Sequence, residues 1–203
     1  MKRSRKPGRP MAFSRPEAVR AAMNTFWKNG FEAVSVSDLA DAMGIERSSF
    51  YNTFKDRESV FLEALDLYRG LAPDAVLLTA RKGAPVVPVI RAMLREICRV
   101  RSHDPEARGC LVVNSIGALV GTNDTLGPRI EEAVRGARTV LEKVLRIGID
   151  QGEIRPVGDV RATAGLFVAF LAGLNSVSKV IRDEKELWRI CQSFLASIGI
   201  DRE

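Results

Sequence analysis

The sequence predicts an all-α protein: an N-terminal three-helix domain of helix-turn-helix type, followed by a larger helical domain. Three observations carry this. Strand signals are nearly absent along the 203 residues. Helix caps followed by apolar repeats recur from Ser14 to about residue 198. Residues 35 to 54 read as two short helices joined by a tight turn at Gly44.

The elements follow in order. Ser14 with Glu17 has the form of a capping box, and Pro16 fits a first helical turn. The helix then offers Val19, Ala22, Met23 and Phe26 to a core and stops at Gly30. Ser35 with Asp38 repeats the capping pattern, and Asp56 starts a fourth helix running to about Leu71. That helix places Val60, Phe61, Ala64, Leu65 and Tyr68 on one side. Residues 72 to 85, with Pro73, Gly83 and Pro85, form a looser joint. Beyond it, helices are expected at 86–103, 110–121, 128–151, 160–182 and 184–198. The expected organisation is a basic arm at 1–11, a DNA-binding domain at 12–72 and a regulatory and dimerisation domain at 73–203.

The helix-turn-helix places one helix in the DNA major groove. Its inward positions are Val36, Leu39, Ala40, Met43, Ile45, Phe50 and Phe54. At about 100° per residue, Phe50 and Phe54 share one side of the second helix, while Ser48 and Asn52 point the opposite way. Ser49 and Tyr51 flank them, and Arg47 stands at the start. Hydroxyls, an amide and a guanidinium suit base edges, which offer donors, acceptors and a thymine methyl. A plain helical hairpin with a solvated face is the alternative reading of this periodicity.

Residues 12 to 72 resemble the N-terminal domain of the TetR family of transcriptional regulators. The features that match are Phe26-Trp27-Lys28-Asn29-Gly30-Phe31, Val36-Ser37-Asp38-Leu39-Ala40, Met43-Gly44-Ile45 and the run from Ser49 to Arg57. The last is the most specific, with an aromatic pair, a phenylalanine and a lysine in fixed order. The rest of the chain is similar only in length and helical pattern. With the helical wheel, the resemblance implies that Arg47, Ser48 and Asn52 set sequence preference, with Ser49 beside them. Tyr51, Thr53, Lys55, Ser35 and Ser37 would hold phosphates. It also implies a small-molecule cavity in the C-terminal helices and a dimer interface formed by the last two.

Charge is unevenly spread. Lys2, Arg3, Arg5, Lys6 and Arg9 stand in the first ten residues without an acid, whereas residues 11 to 72 carry seven bases and nine acids. DNA affinity must then come from placed groups and the arm rather than a broad basic surface. The arm, with Gly8-Arg9-Pro10, reads equally as a minor-groove reader or a solubilising tail. No secretory signal follows it, and the three cysteines Cys98, Cys110 and Cys191 form no close pair in sequence and no metal spacing. Reduced thiols and a cytoplasmic location are expected. The longest uncharged run, Ala162 to Ser178, is shorter than the roughly 20 residues of a bilayer span and reads as a buried helix, so no membrane is expected.

Residues 160–182 are apolar on two sides. Val160, Ala164, Phe167, Leu171, Leu174, Ser178 and Ile181 form one, and Val168, Phe170, Val177 and Val180 a second. Such a helix needs two partners. A homodimer through residues 160–198 supplies the second, and a deeply buried helix in a monomer is the alternative.

Catalytic constellations are lacking: one histidine, His103, no phosphate loop and no paired Cys-x-x-Cys. No enzyme activity, cofactor or metal is expected. An effector cavity could be lined by Met93, Ile97, Val113, Asn114, Leu141 and Phe167, although each of the apolar ones also reads as plain core. Cys110, after Arg108-Gly109 at a helix start, is the one candidate sensor thiol, with core filler as its alternative. The expected partners are double-stranded DNA, a second copy of the chain and an unidentified small-molecule effector. The expected activity is a ligand-released repressor of a palindromic operator. An activator of the same fold or a helical ligand-binding protein is the alternative.

Overall fold

The computed structural model describes residues 14–200, and every regular element among them is helical. The order is α1 (Arg15–Asn29), α2 (Val36–Met43), α3 (Arg47–Thr53) and α4 (Arg57–Leu71), then a 3₁₀ helix (Pro73–Thr79). There follow α5 (Val87–His103), α6 (Leu111–Leu119), α7 (Gly127–Asp150), α8 (Val160–Val177) and α9 (Glu184–Ser197). The basic arm at 1–11 lies outside the described residues.

Local chemistry sets most boundaries. Ser35 Oγ accepts from the Asp38 amide at 3.2 Å while the Asp38 carboxylate accepts from the Ser35 amide at 2.8 Å, a complete capping box for α2. Gly44 ends α2 in the left-handed region at φ 67°, a conformation that costs a side-chain-bearing residue about 1 kcal/mol or more. The Ile45 amide then bonds back to Ala40 O at 3.0 Å, which turns the chain sharply into α3. Asp56 accepts from the Ser59 amide at 2.8 Å to open α4, and Asp159 and Asp183 cap α8 and α9 in the same way.

Two boundary expectations need correction. Ser14 occupies the N-cap of α1, but its side chain makes no capping bond. Pro16 in the first turn has no N–H, which removes one of the amides that a capping oxygen accepts from. The helix from Val160 ends at Val177, not at 182, because Ser178 Oγ bonds back to Asn175 O at 2.9 Å and the next amides make tight turns. Cys98 and Cys191, far apart in sequence, meet: their Sγ atoms lie 3.6 Å apart between α5 and α9. Helix packing brings them together, which no spacing could reveal.

Two apolar cores form, and they do not follow chain order. The first joins α1 to α4 around Phe26, Phe31 and Phe61, whose ring centroids lie 5.2–5.7 Å apart. Leu111 and Leu119 of α6, and Leu126 and Ile130 near the start of α7, close over it. The second unites α5, α7, α8 and α9 around Met93, Leu94, Leu141, Leu145, Phe167 and Leu195. Helix α6 therefore bridges the two parts: its leucines enter the first core while it also packs along α7 and α8.

Helix α8 is not the buried helix expected. Its 18 residues have a mean hydropathy of 1.5, long and apolar enough to cross a membrane by length and composition alone. Only Ala164, Phe167, Leu174 and Asn175 are buried, and an outer stripe of Leu166, Ala169, Gly173 and Val177 is exposed.

Candidate nucleic-acid interface and its link to the regulatory helices

Helix α3 stands on two aromatic anchors. Phe50 is fully buried and Phe54, which follows the helix, is nearly so, their ring centroids 5.5 Å apart. Burying two such rings contributes roughly 1.5–3 kcal/mol each and fixes which side of α3 faces out. Arg47, Ser48, Tyr51, Asn52 and Lys55 are exposed, at offsets of one and four that place them on one surface. Tyr51 is 54% exposed, a large aromatic left in solvent with its ring edge against Phe50. Ser49 and Thr53 are half-buried at the rim of this face.

The two α2 candidates differ in availability. Ser37 is half-buried in the first turn. The Ser35 hydroxyl donates to Asp38 Oδ2 at 2.7 Å besides accepting from the Asp38 amide, so capping occupies it. The Ser35 hydroxyl and amide hold the Asp38 carboxyl below the ordinary carboxylate range.

Two arginines that the sequence reading missed position these helices. Arg15 forms a paired contact with Glu63, at 3.2 and 2.7 Å, and its Nη1 donates to Thr53 O, the last residue of α3, at 3.0 Å. Its guanidinium also lies 4.7 Å from the Phe54 ring centroid. Arg57 donates to Phe31 O and Val34 O at 3.1 and 2.6 Å, holding the segment that leads into α2. Both read in sequence as ordinary surface cations, because their acceptors are backbone carbonyls far along the chain.

A polar seam joins these helices to the later ones. Arg101 of α5 is 5% exposed; its Nη2 donates to Tyr68 Oη at 3.1 Å and its Nε to Asn175 Oδ1 of α8 at 2.7 Å. Burial, and after it the neighbouring Cys110 thiol, push the Tyr68 hydroxyl up, so it stays protonated. Trp27 of α1 donates from its indole to Gly109 O at 3.0 Å and lies beneath the Arg108 guanidinium, 4.0 Å from its ring centroid. Arg108 in turn binds Asp104, whose carboxyl is pushed up by burial but held low on balance by Arg108.

The ligand candidates separate. Met93, Ile97, Leu141 and Phe167 are buried together in the second core. Val113, Asn114 and Cys110 are half-buried at α6. Asn114 donates to Arg108 O at 2.7 Å and lines a cavity of about 220 Å³ between α1 and α6, away from the four core residues. Cys110 is the N-cap residue of α6.

A polar helix face raised on a buried aromatic pair, in a helix-turn-helix that is keyed to a larger helical body, defines a DNA-binding transcriptional regulator. Residues 18–64 match the model of bacterial regulatory proteins of the tetR family, and residues 86–194 match the tetracyclin repressor-like C-terminal domain. The chain belongs to the TetR family, one of transcriptional regulators rather than enzymes. It is similar to the HTH-type transcriptional repressor ComR of Escherichia coli (strain K12), 27% identical over 177 residues, 86% of this chain and 83% of ComR. It is 34% identical over 115 residues to the repressor BdcR of the same strain, a match spanning 57% of this chain and 58% of BdcR. A cysteine mutant of the TetR family regulator CifR, solved with 26-bp double-strand operator DNA, superposes with a TM-score of 0.80 at 29% identity, covering 94% of this chain and all of that one.

Proposed function

We propose that the chain is a repressor that binds a palindromic operator as a homodimer and leaves it when a small molecule binds. The carrying observation is the exposed polar face of α3 over the buried Phe50 and Phe54. In this reading, Arg47, Ser48 and Asn52 contact base edges, with Ser49 at the rim. Tyr51, Thr53, Lys55 and Ser37 face phosphates, and Ser35 holds the start of α2 beside them as its cap. The DNA-binding unit is 12–72 and the regulatory unit 73–203.

The second copy covers α8. Leu166, Val177 and Val180 are 53%, 43% and 83% exposed, and Ile190 of α9 is 36% exposed. The small side chains of Ala169 and Gly173 between them allow close helix approach, and pairing spaces two α3 helices for successive major grooves, about 34 Å apart. The names of ComR and BdcR support repression, and such a protein acts in the cytoplasm. The test is fluorescence anisotropy on the promoter DNA of the chain's own gene and on scrambled DNA, across a salt series. A promoter preference with a linear fall in log affinity against log salt is expected. Equal affinity for both DNAs would overturn the reading. Deleting the gene should raise transcription from that promoter.

A further inference from the structure

The cavity of about 220 Å³ at the seam of α1 and α6 has a buried floor of Phe26, Phe31, Leu111 and Leu119, and its reachable lining comes from Trp27, Asn114, Ala118 and Lys179. None of its lining residues is acidic, and two lysines line it. Lys28 is neutralised by an ion pair with Glu106. Lys179, just past α8, differs: no hydrogen bond or ion pair engages its ammonium among the described residues. The backbone places it there. Gly109 takes φ 67°, and a Cβ on it would stand 2.7 Å from Lys179 Cε, so the glycine leaves room for the lysine stem across the seam. Trp27 also lines the cavity, but its indole N–H is committed to Gly109 O, so it offers apolar surface. The Asn114 amide nitrogen is committed to Arg108 O, which leaves its oxygen to accept from a ligand hydroxyl.

We propose that this cavity binds a small organic anion, a single planar ring bearing one carboxylate, and that its occupancy alters operator affinity. Its volume lies below the roughly 300–1,000 Å³ of drug-sized sites, which limits the occupant to about one ring. The carboxylate pairs with Lys179, the ring lies against Trp27 and Ala118, and a ring hydroxyl donates to Asn114. The regulatory half rests on the reading of the chain as a ligand-responsive repressor. One wall is the end of α1, which packs directly on α2 of the helix-turn-helix, and the other is α6. A ligand held by both walls therefore distinguishes arrangements of the DNA-binding helices, and only such a difference can shift an equilibrium.

The experiment titrates 4-hydroxybenzoate into the full chain by calorimetry, with neutral 4-hydroxybenzamide as control. Saturable binding at one site per chain is expected, weakened about tenfold or more by the amide and by Lys179→Met, as the loss of a charge-assisted bond implies. Lys179→Arg should retain it. Unchanged melting of Lys179→Met shows that the fold is intact. No saturable binding at millimolar concentration, or equal binding of the amide, would overturn the site. So would wild-type affinity in Lys179→Met. Operator affinity measured with saturating 4-hydroxybenzoate is expected to change at least about fivefold, within the usual range of coupling energies. An unchanged value overturns the regulatory half. Absence of operator binding without any anion would instead strike the repressor reading, since anion binding is read on the DNA-free protein.

Discussion

The Arg101 guanidinium donates to the Tyr68 hydroxyl at 3.1 Å, so one buried arginine of α5 holds the last turns of α4. The same guanidinium donates to Asn175 at 2.7 Å in α8, the helix that carries the exposed apolar stripe. DNA-binding helices and the proposed dimer face thus share one hydrogen-bonded cation. Replacing Arg101 by Met should cost about 1–3 kcal/mol, because the Tyr68 hydroxyl and Asn175 amide lose their partner in the interior. Tyr68→Phe, which removes only one polar atom, should cost less. Urea unfolding of the two variants checks the order; equal losses would mean that the arginine bond to Asn175 contributes nothing.

On α3, Asn52→Ala should cost about 1–3 kcal/mol on the operator and relax preference at one base position, whereas Lys55→Ala should weaken all sequences together. Arg15→Ala should lower operator affinity without touching DNA, because it frees Thr53 O at the end of α3. Binding measured on operator and random duplexes separates the three. Equal loss on both DNAs for Asn52→Ala would remove it from base reading.

Leu166→Arg should yield folded monomers, since Leu166 is 53% exposed in the single chain. Leu174→Arg is a different experiment: Leu174 is 3% exposed in the second core, so an arginine there buries an unpaired charge and yields misfolded protein. Analytical ultracentrifugation with circular dichroism distinguishes the outcomes. A stable Leu166→Arg dimer would place the interface elsewhere.

Acid should weaken the first core through its caps. The Ser59 hydroxyl and amide hold the Asp56 carboxyl below its ordinary value, and Ser35 does the same for Asp38. A carboxyl lowered in the folded state stabilises it above the unfolded pKa of about 3.9, and that contribution disappears as pH falls through the folded value. Asp56→Asn, which retains an N-cap oxygen but not the charge, should be less stable than the wild type at pH 7, lose that difference as pH falls, and flatten the fall in urea midpoint below about pH 4. A wild-type slope in the variant would show that other carboxylates carry the acid sensitivity.

Thiol labelling should rank Cys110 first. It is half-buried, whereas Cys98 and Cys191 are 1% and 0% exposed and face each other. If Cys110 senses oxidants, Cys110→Ser should hold the operator under oxidant where the wild type lets go. Equal labelling rates for all three, with unchanged release, would leave it as core filler.

Much of the fold was legible because its signals are local. Ser35, Asp38, Gly44 and Asp56 act within four residues of themselves, and Phe50 with Phe54 set the outward face of α3 by periodicity alone. The buried set Val60, Phe61, Ala64, Leu65 and Tyr68 on α4 follows from the same 3.6-residue repeat.

By itself, then, the sequence determined the helices, their order, the polar face of α3 and the family resemblance, since caps, turns and amphipathic repeats are written in neighbouring residues. Only the tertiary structure decided the long-range pairings. Arg15 on Thr53 O, Arg101 between Tyr68 and Asn175, Cys98 against Cys191 and Lys179 across Gly109 each join residues from 33 to 93 positions apart, which leaves no pattern in the chain. The tertiary structure likewise decided that α6 lends its leucines to the first core and that α8 keeps one apolar side uncovered. A helix with two apolar sides states that it needs two neighbours, but which neighbours cover which side depends on how the other helices pack in space.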